Sequence, residues 1–142
     1  MTAGLLERNA ELRRLRETLR GAGQGRGSVV LVSGEAGIGK TSLVRAFARE
    51  AAGRARVLAG ACDDLITPRT LGPFRDMARD AGGLAGLAGD DRDAFLDALL
   101  AEMAFTQRPA VVIVEDAHWA DAASLDIIRY LARRIDRLSA LL

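Results

Sequence analysis

Residues Gly34-Glu35-Ala36-Gly37-Ile38-Gly39-Lys40-Thr41 fit G-x-x-x-x-G-K-[ST], the phosphate-cradling pattern known as Walker A. Gly34, Gly37 and Gly39 let the backbone take positive φ and turn its N–H groups inward, forming a nest for oxyanions. A helix starting directly behind the loop aims its positive dipole end and its first N–H groups at the same point. Lys40 reaches terminal phosphates as a point charge, and the Thr41 hydroxyl suits Mg²⁺. The residues expected around a phosphate are therefore Gly34, Glu35, Ala36, Gly37, Ile38, Gly39, Lys40, Thr41 and Ser42. Lys and Arg total 20, and Lys40 is the one lysine among them. A chain that uses Arg everywhere else keeps a compact ammonium here, and the two side chains are not interchangeable. The competing reading is a glycine-rich strand-to-helix turn that binds nothing. It leaves the spacing, the Lys-Thr pair and the flanks to coincidence.

A second constellation follows roughly seventy residues later. Ala110-Val111-Val112-Ile113-Val114 is wholly apolar and runs into Glu115-Asp116, a hydrophobic strand ending in paired acids in the Walker B manner. One carboxylate would hold the hydration shell of Mg²⁺ opposite Thr41, and the next would orient or deprotonate an attacking water. Glu115 stands where Asp is usual, with the same charge on a longer arm. Either acid can take either role, so Glu115 and Asp116 are both expected in catalysis and, with Thr41, at the metal. Cys62-Asp63-Asp64 could touch Mg²⁺ or a partner, or simply form a turn or cap a helix. His118 has no second His or Cys nearby for a metal site; it could sense phosphate or hold the loop. Trp119 is expected to pack.

Elements must position these groups. Val29-Val30-Leu31-Val32 predicts a strand buried on both faces ahead of the loop. Behind it, Leu43, Phe47 and Ala51, with Val44 and Ala48 alongside, predict a helix over 42–51. Residues 5–20 read as an amphipathic helix with Leu5, Leu12, Leu15 and Leu19 on one stripe. Arginines and glutamates on its other faces suit a solvated surface with i,i+4 pairs. The glycines from Gly21 to Gly27 are expected to break that helix and form a linker. Val57-Leu58-Ala59 predicts a second strand, and Phe74, Met77 and Ala78 a short helix after a loop punctuated by Pro68 and Pro73. Residues 81–89 are low in complexity and read as a mobile surface loop. Asp91 or Asp93 would cap a helix burying Phe95, Leu96, Leu99, Leu100 and Met103, a core stripe. Asp121 is a natural N-cap for a helix carrying Leu125, Ile128, Leu131, Ala132, Ile135 and Leu138. The fold class is α/β: a P-loop NTPase with a parallel sheet in a three-layer αβα arrangement. It divides into residues 1–27, a helix and linker, and 28–142, an ATPase part with Walker A at 34–41 and Walker B at 111–116.

The 142 residues suffice for one domain with a core. At 49% hydrophobic and 27% charged, the composition is that of an ordinary globular protein. A net charge of +1 gives no global field to recruit nucleic acid or an acidic membrane. A single cysteine, Cys62, excludes an internal disulfide and fits a reducing compartment. With no apolar run of membrane-spanning length and no signal-peptide core near Met1, a cytoplasmic location is expected.

Taken together, the residues resemble the N-terminal ATPase module of large LuxR-type transcriptional regulators, in the signal-transducing (STAND-type) AAA-like P-loop class. The resemblance is carried by Leu6-Glu7-Arg8-Asn9-Ala10-Glu11-Leu12, the loop at 34–41, and Glu115-Asp116-Ala117-His118-Trp119-Ala120-Asp121 with Ser124-Leu125-Asp126. It covers nearly the whole chain, and the His-Trp-Ala-Asp run is its most specific part. It implies ATP and Mg²⁺ at the loop with Glu115 and Asp116 opposite, and slow hydrolysis that resets a switch. A rate on the order of 10⁻⁴–10⁻² s⁻¹ would suit an unassisted switch NTPase. Adenine specificity follows from the resemblance alone. Self-association is implied for the parent protein, and DNA contact only through a helix-turn-helix that this chain lacks. Such regulators continue into further strands and a helical lid, so residues 1–142 read as a fragment with later core strands missing. In that class a fourth strand lies between the Walker A and Walker B strands, and it would begin about where the sequence ends. The expected results are a gap or an unpaired edge and marginal stability or aggregation. Two other readings stand beside this one: a nucleotide-binding fragment without turnover, and the same module in a cyclase or kinase signalling protein.

Overall fold

Alternation along one strand sorts the molecule into layers. In the computed structural model, which describes residues 8–33, 39–66, 69–80, 92–104 and 108–142, that strand is β2 (Ala110–Glu115). Successive strand side chains point to opposite faces. Ala110 and Val112 enter one buried cluster, while Val111 enters another with Ile113 packed against it. Helices α1 (Asn9–Ala22) and α2 (Lys40–Ala51) cover the second face through Leu12, Leu15, Leu19, Leu43, Phe47 and Ala51. Helices α3 (Gly72–Asp80), α4 (Arg92–Met103) and α5 (Ala122–Ala132) cover the first through Phe74, Met77, Leu99, Met103, Ile127 and Leu131. The result is the expected α/β architecture with helices on both faces of a parallel sheet.

The sheet runs β1 (Arg56–Ala61), β2, β3 (Ala140–Leu141), all parallel. Ser28 bridges Leu141 in parallel on the far side of β3. Its ladder is short: Ser28 N–H donates to Ala140 O at 3.2 Å, Leu142 N–H to Ser28 O at 3.0 Å, and Val30 N–H to Leu142 O at 2.8 Å. The segment after which the loop follows thus lies beside β3, and β3 separates it from β2. The gap anticipated in mid-sheet is bridged by two residues.

Burial of Val29–Val32 on both faces is corrected. Val30 and Val32 pack against the α1/α2 cluster, but Val29 is 46% and Leu31 83% exposed. Pairing reaches only Leu142, so beyond Val30 this segment has no ladder to flatten it into a strand. Helix α1 also departs from expectation, running through Gly21 to Ala22. Ala22 is fully buried, and the chain leaves through Gly25, whose φ of 79° suits a residue without Cβ. Arg16 on this helix makes a bidentate pair with Glu50 of α2, both bonds 2.6 Å, rather than serving only a local spacing.

Helix α5 ends at Ala132, and Ile135 lies in a following 3₁₀ turn, Ile135–Arg137. Its buried face is Ser124, Ile127 and Leu131, one residue out of phase with Leu125 and Ile128, which are half-buried. Ser124 can go inward because its hydroxyl is satisfied by Asp121, as described below. The stripes predicted for α3 and α4 are buried as expected, except that Leu100 is half-buried against the cluster. Asp91 and the loop at 81–89 lie outside the described residues, as do Leu5 and Pro68. Among the described residues no helix is long and apolar enough to cross a membrane.

Candidate functional site

Parallel strands bring their C-terminal ends to one edge, where open α/β sheets hold their ligands. Ala61 stands level with Glu115 in that edge, and Cys62 N–H donates to Glu115 O at 2.9 Å. Ser28, Leu141 and Val111 share a level lower down, so the 28–33 segment rises toward the same edge. Of the Walker A residues, Gly34, Glu35, Ala36, Gly37 and Ile38 lie outside the described residues. Gly39 stands at the N-cap of α2 with φ 88°, and a Cβ there would meet nothing within 4 Å. Backbone conformation, not crowding, therefore calls for glycine. Lys40 opens the helix half-buried, while Thr41 and Ser42 are exposed on its first turn. No acidic residue occupies that first turn, where the helix dipole favours negative charge.

Glu115 closes β2 half-buried, and Asp116 follows, exposed, with φ 55°. Asp116 caps a single 3₁₀ turn, Ala117–Trp119, with Trp119 N–H donating to Asp116 O at 2.9 Å. Trp119 packs only in part: its ring sits 4.5 Å from that of His118, and it is 40% exposed. His118 is itself exposed. Asp121 is the N-cap anticipated for α5. Its carboxylate accepts from Ser124 Oγ at 2.5 Å and Ser124 N–H at 3.4 Å. It also accepts from Leu71 N–H at 3.2 Å, fifty residues back along the chain. Burial alone would raise the Asp121 pKa, but the Ser124 hydroxyl and the Leu71 and Ser124 amides outweigh it and hold the carboxyl below its ordinary value.

The segment after β1 is built of charge pairs that local sequence spacing did not reveal. Asp63 accepts from Arg69 Nε at 2.6 Å. Arg69 also reaches Asp76 on α3 at 3.3 Å, and Arg79 pairs with Asp76 in turn. Asp76 further accepts from Ala61 N–H at 3.4 Å, tying α3 to the end of β1. Asp63 is thus committed to Arg69, while Asp64 is exposed. Cys62 is buried, and burial together with Asp121, Asp116 and Asp63 pushes its thiol up to about 11.

Among the described residues no group of three His, Cys, Asp or Glu side chains is set to hold a metal by itself. Thr41, Glu115 and Asp116 supply hydroxyl and carboxylate oxygens, the donor type that Mg²⁺ takes. That ion keeps several waters and takes one or two carboxylates plus phosphate oxygens, not an all-protein cage. An exposed hydroxyl and an exposed carboxylate leave room for those waters.

A profile of the AAA ATPase domain family matches residues 4–142. An uncharacterized protein of Rhizobium meliloti (strain 1021) is 30% identical over the whole of this chain, which spans 18% of that relative's length. No solved structure matches.

Proposed function

This chain belongs to the AAA ATPase domain family, and from that premise we propose that it is a Mg·ATP-binding switch module of a large LuxR-type transcriptional regulator, with slow hydrolysis resetting the switch. The observation that supports the reading is the parallel register, which runs the 28–33 segment and the strand ending in Glu115-Asp116 toward the same sheet edge, while Gly39 and Lys40 open the helix that follows that segment. An anion at the start of α2 would meet the helix dipole, the first-turn amides and the Lys40 ammonium together. Thr41, Glu115 and Asp116 would hold Mg²⁺, which when bound neutralises charge on the phosphate oxygens. Asp116, exposed beside Glu115, would orient a water and accept its proton. The regulator setting is supported by the resemblance of the His118-Trp119-Ala120-Asp121 run; the match to 18% of a relative's length fits a module of a larger protein and no more. Self-association belongs to that larger protein, and DNA contact to a helix-turn-helix outside these residues.

Binding of a fluorescent ATP analogue with Mg²⁺ tests the reading. Lys40→Ala removes charge-assisted hydrogen bonds worth about 1.5–3 kcal/mol, so affinity should fall about ten- to a hundredfold. Phosphate release should disappear in Asp116→Ala. Equal binding by wild type and Lys40→Ala would end the phosphate-site assignment. Binding without release by the wild type would favour the non-hydrolysing reading.

A further inference from the structure

Among the described residues, two that are not glycine hold positive φ: Leu71 at 57° and Asp116 at 55°. A side chain with a Cβ disfavours that conformation, so something must hold each in place. Both lie in segments that meet at one carboxylate. Asp116 opens the 3₁₀ turn that Ala120 closes, Asp121 follows Ala120 directly as the N-cap of α5, and the Leu71 N–H donates to Asp121 Oδ2. Ser124 alone would satisfy an ordinary N-cap, through the hydroxyl and amide that already donate to Asp121. The carboxylate spends its remaining capacity on a strained residue at the start of α3. That residue is in turn fixed to the end of β1, because α3 carries Asp76, bonded to Ala61 N–H and to Arg69.

We propose that Asp121 is a positioning residue, a latch joining the turn that carries Glu115 and Asp116 to the 62–71 segment, so that nucleotide at the acids is felt at Leu71. This rests on the ATP reading above. Nucleotide and metal that fix Asp116 would fix the turn through 121, and with it the acceptor of the Leu71 amide. Loosening the latch would let the carboxylates drift from the metal while leaving the Lys40 end of the site untouched. A cap alone would stabilise α5 and do neither.

The test uses the full 142-residue chain as wild type, Asp121→Ala, Asp121→Asn and Ser124→Ala. It reads amide exchange at Leu71 by NMR and the gain in fluorescent ATP-analogue affinity on adding Mg²⁺. In Asp121→Ala, Leu71 should exchange at least tenfold faster and the Mg²⁺ gain should fall at least fivefold. Asp121→Asn keeps a carbonyl oxygen for the amide and should retain most of both. Ser124→Ala weakens the cap alone; its melting temperature should fall with both readouts intact. Unchanged Leu71 exchange in Asp121→Ala would overturn the latch, as would a Ser124→Ala variant that loses the Mg²⁺ gain equally. If Asp121→Ala does not fold, the wild type decides: Mg²⁺ and analogue should slow Leu71 exchange at least threefold, and no change overturns the proposal. A wild type that binds no analogue overturns the ATP reading itself, and the positioning role with it. Leu71 protection that still depends on Asp121 would then mark a structural tie only.

Discussion

Cys62 occupies the point where β1 hands over to the site, buried and ringed by Asp121, Asp116 and Asp63. Its thiol, pushed up to about 11, carries almost no thiolate near neutrality, and the thiolate is the reactive form. Metal-free native protein should therefore react with iodoacetamide at pH 8 roughly a hundredfold more slowly than denatured chain, whose thiol titrates at about 8.5. Because the folded value is the higher one, this thiol's contribution to stability is complete below about 8.5 and is lost as pH climbs toward about 11. Cys62→Ala should flatten that alkaline limb in urea melts. Asp121 works in the opposite sense. Its folded pKa is depressed, so its contribution is present above about 3.9 and is lost as pH falls through the folded value. Asp121→Asn should flatten the acid limb, while Asp121→Ala should also cost about 0.5–2 kcal/mol at pH 7, the range for a lost N-cap. The capping role of Asp121 is legible in sequence because a cap is read from its own helix. Its bond to Leu71 is not, since nothing local marks a partner fifty residues away.

At the scale of elements, Gly60 of β1 lies close under the first turn of α3. A Cβ on Gly60 would stand 2.0 Å from the Pro73 carbonyl oxygen, a backbone atom with nowhere to go. Gly60→Ala should destabilise by about 1–3 kcal/mol or more, the cost of overpacking. Gly53→Ala, where a Cβ meets nothing within 4 Å, should stay within about 0.5 kcal/mol in the same denaturant titration. Elements with one clear apolar stripe were readable: Leu43, Phe47 and Ala51 of α2 and Phe95, Leu96, Leu99 and Met103 of α4 are buried as their spacing requires. Helix α5 misled because Leu125 and Ile128 offer a second stripe beside Ile127 and Leu131. The tie-break is Ser124, polar in sequence yet buried because Asp121 satisfies it. Pattern reading ranks serine as solvent-facing and cannot see the bond.

For the molecule as a whole, the layers follow from composition and order, and the weak place is the edge. Val29 and Leu31 are exposed on a segment that, among the described residues, pairs on one side only, the template on which other chains can add. Leu31→Lys should leave the melting temperature of these 142 residues nearly unchanged and lower their self-association, read by sedimentation velocity across concentrations. Sequence alone made Val29–Val32 look fully interior, because four apolar residues in a row read alike whether or not neighbours cover both faces. The strand order has a consequence during synthesis. Ser28 finds its partner only in Leu141, so the sheet's second flank waits on residues made more than a hundred codons later. At about 5–20 residues per second, the emerging 28–33 segment stays without that partner for roughly ten seconds. For that interval an apolar run hangs outside the ribosome, where a holding chaperone has time to engage it.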